Sequence, residues 1–454
     1  MRALLASDSK GHNVNRSPTA VSLFASAGFG DLALRKLGFQ ILAASEIDAQ
    51  KASMYRRNYP DVDVFEGDIR ETSGRLADTT LLRLRQRPLD LLLATPPCQP
   101  YSANGRDKRS SHEHQGHLRR EDSKSHLLLE IVPLITKLKP RMMILENVLG
   151  IRKSRTGVGR KSVLEDFESA LPDYTGTWRR IDFADYGLPQ SRRRVIGLFV
   201  LTTHMDLAIN FPEFKKALFP DATHAQDPLA NQQRWVTLRS AIEHLPPLDA
   251  RSAIDARSSV PLHHVSVLRP TAYWWVQHTP PGRSAFDNQC ANPECLFMGN
   301  PAHGITLLES GKRIPARETP IFCTICKELL PRPSIGKGVN RRIITGYTTS
   351  YKRMPYDRPA PTVTGRFAYI SGSSSLHPVQ NRPLSALEAS ILQSIANYPY
   401  IWENDDGSEP SKDVLRSAIG DAVPPQGIEI FARHLHQYSL GLTQRQPTVS
   451  RSLA

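Results

Sequence analysis

Between residues 19 and 200 one alternation repeats: a short apolar run, a cluster of small or acidic residues, then a stretch with apolar positions three and four apart. Residues 21–24 read as a buried strand, and the helical pattern after Asp31 places Leu32, Leu34 and Leu37 on one side before Gly38 ends it. Strands are predicted at 41–45, 62–65, 89–94, 141–145 and 193–200, and helices near 49–58, 125–138 and 162–170. The run 89–94 is almost wholly apolar, as a strand buried on both faces should be. Such alternation predicts an α/β fold, a doubly wound and mostly parallel sheet with helices on both faces. From about 205 to 355 the periodicity fades and Pro, Gly, His and Arg become frequent; helices return at 383–396 and 411–437. We therefore expect a core over 19–205, a smaller irregular domain over 206–379, a helical segment over 380–440, and loose ends at 1–18 and 441–454.

Charge and cysteine usage narrow the partners. Lys and Arg number 58 against 44 Asp and Glu, a formal charge of +14 that favours a polyanion such as nucleic acid. No run of about 18 apolar residues suggests a membrane span, and the first twenty residues lack the apolar core of a signal peptide. The five cysteines do not form a disulfide scaffold in so long a chain, which points to a reducing, cytoplasmic setting. Four cluster as Cys290-x4-Cys295 and Cys323-x2-Cys326, spacing that fits a closed tetrahedral structural zinc site. A metal staple suits a region too poor in apolar pattern to stand on packing alone.

Three predicted strand ends carry candidate chemistry. The small residues 25–30 after the first strand let a ligand approach the backbone and a helix N-terminus. Glu46 ends the second strand, where an acid can accept from ribose hydroxyls, and Asp68 follows the third. Next to the apolar strand stands Thr95-Pro96-Pro97-Cys98-Gln99-Pro100, a stiff turn presenting a lone thiol. That placement suits a nucleophile, and Glu146-Asn147-Val148 ends a strand at the same edge with a carboxylate to move a proton.

These segments, taken in order, resemble the DNA cytosine-5 methyltransferases of bacterial restriction-modification systems. Residues 23–30 resemble the first cofactor motif, with Ser26 and Phe29 where Gly is usual; Pro96-Pro97-Cys98-Gln99 matches the nucleophile motif and Glu146-Asn147-Val148 the catalytic acid motif. Gln190-Ser191-Arg192-Arg193-Arg194 matches the QxRxR motif. Residues 382–393 resemble the ninth motif, and Gly420-Asp421-Ala422-Val423-Pro424-Pro425 the closing motif, with Asp421 for the usual Asn. The resemblance implies the S-adenosylmethionine-dependent methyltransferase fold, with 206–379 as the target-recognition domain and 380–440 returning to the catalytic core. It implies S-adenosylmethionine as cofactor, held by Phe24, Ala25, Ala27, Gly28, Glu46, Ile47, Asp68, Ile69, Pro96, Asp421 and Ala422. It implies methylation of C5 of cytosine in double-stranded DNA by Cys98, Glu146, Arg192 and Arg194, through a covalent adduct at C6 of a base flipped from the duplex. Residues 99–121 would form a basic lid. Gln99, Ser102, Arg106, Lys108 and Arg109, with Gln190, Thr362 and Thr364, are the expected DNA contacts. Basic residues near the cysteines, Arg332, Lys337, Arg341 and Arg342 among them, would meet phosphates and base edges. A monomer working beside a restriction endonuclease, with no membrane partner, is the expected setting. Two alternatives stay open here: methylation of RNA, particularly tRNA, by a related fold, and a DNA-binding protein with an inactive core. Intact Cys98, Glu146, Arg192 and Arg194 weigh against the second.

Overall fold

The strands of the core are β1 (Thr19–Leu23), β2 (Gln40–Glu46), β3 (Asp63–Glu66), β4 (Leu91–Ala94), β5 (Met142–Asn147), β6 (Tyr174–Asp182), β7 (Gln190–Ser191) and β8 (Arg193–Leu201). Seven of them form one sheet in the order β3-β2-β1-β4-β5-β8-β6. Neighbours are parallel from β3 to β5, and β8 runs antiparallel to both β5 and β6. The computed structural model describes residues 16–97, 127–153, 162–202, 211–302, 304–309, 313–316, 318–344 and 349–444. Cys98, Gln99, Ser102, Arg106, Lys108 and Arg109, and the rest of the expected lid, lie outside the described residues.

The central strands bury both faces, with the side-chain period of two dividing them between two cores. In β4, Leu91 and Leu93 join one core while Leu92 and Ala94 join the other; in β5, Met142 and Ile144 divide from Met143 and Leu145 in the same way. The first core also holds Leu32 and Leu34 of α1 (Phe29–Lys36), Met54 of α2 (Ala49–Asn58), and Ile428, Phe431 and Leu435 of the helix Pro425–Gln444. The second holds α3 (Ile69–Leu84) and the helices at 127–138 and 163–170. Helix Pro425–Gln444 thus returns to pack beside α1.

Two elements carry too weak a pattern to be expected from sequence. On α3 the buried face is Ile69, Thr72, Leu76, Ala77, Thr80 and Leu84, so threonines dilute the apolar stripe. Strand β6 lies at the sheet's edge and is half exposed along most of its length. The expected helix at 125–138 is interrupted between Leu127–Glu130 and Val132–Leu138, where Pro133 supplies no N–H to the turn before it. Pro424 and Pro425 likewise separate Lys412–Asp421 from Pro425–Gln444.

The irregular region also divides more narrowly than the span 206–379. Phe214, Leu218, Leu238 and Ile242, and later Met354, Ala360, Val363 and Phe367, all belong to the first catalytic core. Among the described residues, separate apolar clusters form around Trp275, Phe286, Ile343 and Tyr351, and around Cys290, Cys323 and Leu330. Two arginines in this region are ties. The Arg353 guanidinium donates to the carbonyl oxygens of Val276, Thr279 and His377 and to Asn381 Oδ1 at 2.6–2.9 Å. Arg332, expected among the DNA contacts, is fully buried and donates to the Asn288 and Pro320 carbonyls at 2.8 and 2.7 Å, which removes it from any phosphate.

Candidate active site

The chain runs outward through β1, β2 and β3, then crosses back to β4 beside β1. The carboxyl ends of β1 and β4 therefore flank the switch point where open sheets bind ligands. A cavity of about 530 Å³ lies there, lined from the turns after β1 to β5 and from Gly420 to Val423.

The turn after β1 is held in an unusual shape. Phe24 and Ser26 adopt left-handed φ values of 57° and 52°, and Gly28 one of 82°. Glu46 holds this turn: its carboxylate accepts from Ser26 N at 2.7 Å and from Asp48 N at 2.9 Å. Burial pushes the Glu46 carboxyl above its usual range despite those bonds and nearby Lys51. Each oxygen retains a lone pair for a hydroxyl. Phe24, Ala25, Glu46, Ile47, Asp68, Ile69, Pro96, Asp421 and Ala422 all line the cavity, as expected of the cofactor set. Ala27 and Gly28 do not; they lie behind the turn. The Tyr400 hydroxyl donates to the Ala27 carbonyl and the Tyr59 hydroxyl to that of Gly28, each at 2.7 Å. A Cβ on Gly28 would stand 2.4 Å from the Tyr59 ring, so glycine is needed there for space as well as for φ.

Asp68 caps α3, accepting from Arg70 N at 3.0 Å, and hydrogen bonds from the Arg70 guanidinium lower its pKa. At the opposite wall, Glu146 is buried at the end of β5 with its Oε1 2.7 Å from Arg194 Nε. The neighbouring Asn147 amide donates to the Pro96 carbonyl at 3.2 Å, tying the acid-bearing strand to the segment after β4. Register agrees: Ala94 of β4 pairs with Leu145 of β5, so the two motifs leave the sheet side by side.

Gln190, Arg192 and Arg194 of the QxRxR segment divide the work. Arg194 pairs with Glu146. Arg192 is buried on the cavity wall and donates to the Val363 and Gly420 carbonyls at 3.0 and 3.3 Å. Through these bonds it ties the two returning segments together. Gln190, expected at the DNA, is fully buried: it accepts from Val363 N at 2.7 Å and donates to Leu392 O and Gln393 Oε1. That network leaves it no face toward DNA. The Thr362 hydroxyl donates to the Ser191 carbonyl at 2.8 Å, while Thr364 lines the cavity. Sequence reasoning also passed over Asp31 and Lys51, which line the cavity from helices α1 and α2. Lys51 Nζ lies 3.1 Å from Asp421 Oδ2; its position in the first turn after Glu46 was the available signal.

Far along the chain, the four clustered cysteines converge. All four Sγ atoms lie within 4.8 Å of one another, with Cys290–Cys326 at 3.6 Å and Cys295–Cys323 at 3.9 Å. A tetrahedron of Zn–S bonds has an edge of about 3.8 Å, whereas a disulfide would hold two sulfurs at about 2.05 Å. The donor set fits a structural zinc with no open position.

A doubly wound sheet with an antiparallel edge, and a nucleoside-sized cavity over its switch point, is an S-adenosylmethionine-dependent methyltransferase core. Within that class the chain belongs to the C-5 cytosine-specific DNA methylase family, whose model matches residues 19–437. It transfers methyl from S-adenosylmethionine to C5 of cytosine in DNA, the first of the readings open from sequence. The chain is 27% identical to the Type II methyltransferase M1.HgaI of Avibacterium volantium, over 91% of this chain and 97% of that one. It is 25% identical to M1.HphI of Haemophilus parahaemolyticus, over 90% and 84%. The fold is shared with the crystal structure of a protein encoded within an E. coli prophage (TM-score 0.56, 15% identity, covering 94% of this chain and 100% of that one). Among the described residues no helix is long and apolar enough to cross a membrane.

Proposed function

We propose that this chain is the modification enzyme of a restriction-modification system, methylating one cytosine within a fixed duplex sequence beside a partner endonuclease. The relatives M1.HgaI and M1.HphI, both Type II methyltransferases, support that setting. The observation that carries the chemistry is the Glu146–Arg194 pair, joined through Asn147 to Pro96, which precedes Cys98 by two residues in the sequence.

The target base must leave the stack to reach this cavity. Cys98, as thiolate, adds to C6 of the flipped cytosine and turns C5 into an enamine-like carbon. Glu146, oriented by Arg194, supports the charge that develops at N3 and the exocyclic amine. When bound, S-adenosylmethionine supplies the electrophilic methyl. Loss of the C5 proton to a base and elimination of Cys98 complete the turnover. Phe24, Glu46, Ile47, Asp68, Ile69, Pro96 and Ala422 would hold the cofactor. The residues Thr362 and Thr364, with Gln99, Ser102, Arg106, Lys108 and Arg109 of the basic segment, would meet the DNA. Cys290, Cys295, Cys323 and Cys326 would hold one structural Zn2+, stapling the recognition loops. The enzyme works as a cytoplasmic monomer.

Incubation with methyl-labelled S-adenosylmethionine and mixed-sequence duplex DNA, followed by mapping of methylcytosine at nucleotide resolution, tests the reading. Label at C5 within a single recurring sequence is expected. Label in RNA alone, or at cytosines without sequence preference, would overturn it.

A further inference from the structure

The cavity wall holds an acid that the reaction above does not use. Asp31 lies in the first turn of α1, 1% exposed. The Tyr55 hydroxyl donates to its Oδ2 at 2.7 Å, while the buried Oδ1 has no partner at full hydrogen-bond geometry and Ser22 is the other side chain that supports the carboxyl. Asp31 does not cap its helix: Gly28 holds the N-cap position and no side chain caps it. The nearest cation on the same helix, Arg35, is paired with Asp61. A buried carboxyl with an open oxygen costs free energy and calls for a partner. Burial pushes this one up to about 6, against the lowering influence of Tyr55, Ser22 and Arg35.

We propose that Asp31 receives the α-ammonium group of S-adenosylmethionine and thereby fixes the cofactor's amino-acid arm. The inference rests on the assignment of that cofactor to this cavity. The cofactor has two cationic groups, and topology separates them. Its sulfonium must face the cytosine at Glu146 on β5. Asp31 follows β1, and β4 lies between β1 and β5, two strand spacings or roughly 10 Å across the sheet. The acid is thus on the side away from the reacting carbon, where the amino-acid arm ends. An ammonium brings three donors, one of which completes Oδ1. Tyr55 pins the other oxygen, so the carboxylate is oriented before the ligand arrives. Asp31 is a cofactor-positioning residue that sequence spacing did not mark.

The test is a set of equilibrium titrations of the full chain, native and Asp31→Asn, with three ligands. S-adenosylmethionine has both cations, S-adenosylhomocysteine only the ammonium, and 5′-methylthioadenosine neither. The substitution should weaken the first two by about 10-fold or more and together, as loss of a charge-assisted hydrogen bond does. Methylthioadenosine should change by less than about 2-fold on that same scale. Equal weakening of all three would mean a structural role and overturn the inference. So would weakening of S-adenosylmethionine alone, which would move the contact to the sulfonium, or no weakening at all. Should Asp31→Asn fail to fold, the native protein and the desamino analogue of S-adenosylhomocysteine decide the matter: about 10-fold weaker binding is expected, and equal binding overturns it. If the native protein bound none of the nucleosides, the cofactor assignment itself would fall, and this inference with it.

Discussion

Arg194 holds Glu146 through Nε at 2.7 Å from Oε1, with only 14% and 9% of the two side chains exposed. Removing one partner of so enclosed a pair leaves the other charge without compensation. Arg194→Ala should therefore lower the single-turnover rate of methyl transfer by about 100-fold or more. Cofactor affinity should stay within about 3-fold, because Arg194 orients an acid and does not anchor the nucleoside. Rapid-quench kinetics with labelled cofactor, set beside a binding titration, separates these effects; unchanged turnover would remove Arg194 from the mechanism.

Ser26 occupies a left-handed backbone position where the family usually has glycine, and its buried hydroxyl has no partner. Both features disfavour the native state, the first by about 1 kcal/mol. Ser26→Gly should accordingly raise stability by about 1 kcal/mol, read as a higher urea midpoint with an unchanged slope. A lower midpoint would show that the hydroxyl is engaged.

Asp31 makes the apo protein sensitive to mild acidity. Its carboxyl is raised from 3.8 to about 6, so the folded state prefers the protonated form. The stability this group contributes is complete below pH 3.8 and is lost as pH rises through about 6, a window worth about 3 kcal/mol. The groups facing it are Tyr55 from α2 and Tyr59 just after it, Ser22 from β1 and Arg35 from its own helix. Urea titrations between pH 4 and 7 should show Asp31→Asn gaining on the native protein as pH rises. A constant difference across that range would contradict the assignment.

The cysteine cluster predicts a separable failure. Cys326→Ser, or chelation, should release about one equivalent of zinc by elemental analysis. Specific DNA binding should then be lost while cofactor binding persists, because the cluster packs with Leu330 in a core separate from the two catalytic ones. Freshly purified protein without metal would sink the zinc assignment; simultaneous loss of cofactor binding would sink the separation.

Asp421 replaces the family's usual asparagine and pairs with Lys51 at 3.1 Å. Lys51 is nearly buried and Asp421 mostly exposed, so solvent weakens the pair. Asp421→Asn should leave stability within about 1 kcal/mol. Because both residues line the cavity, it should change cofactor affinity in a salt-dependent way. Titrations at low and high ionic strength check this; identical shifts at both would exclude the charge.

Local sequence was enough to mark most of the strands of the core, the turn after β1, and Glu46, Pro96 and Glu146 as residues that meet at one cavity. Apolar period and motif spacing are properties of neighbouring residues, and they survive without knowledge of the rest of the chain. The cysteine spacing was legible for the same reason. Where a pattern was diluted, as by Thr72 and Thr80 on α3 or by solvent on edge strand β6, the element went unseen.

Only the tertiary structure decided which polar side chain meets which partner. Arg192 and Arg194 stand two residues apart in one motif, yet Arg194 pairs with Glu146 while Arg192 ties carbonyls 171 and 228 residues away. Gln190 and Arg332 read as DNA contacts by type and place, and both are consumed inside the protein. The state of Asp31 was likewise set by distant residues: Tyr55 takes one carboxylate oxygen, and the other is buried without a partner at full hydrogen-bond geometry. A side chain's type sets what it can bind; which groups remain for a ligand depends on what distant segments bring beside it when the chain closes, and no local pattern encodes that.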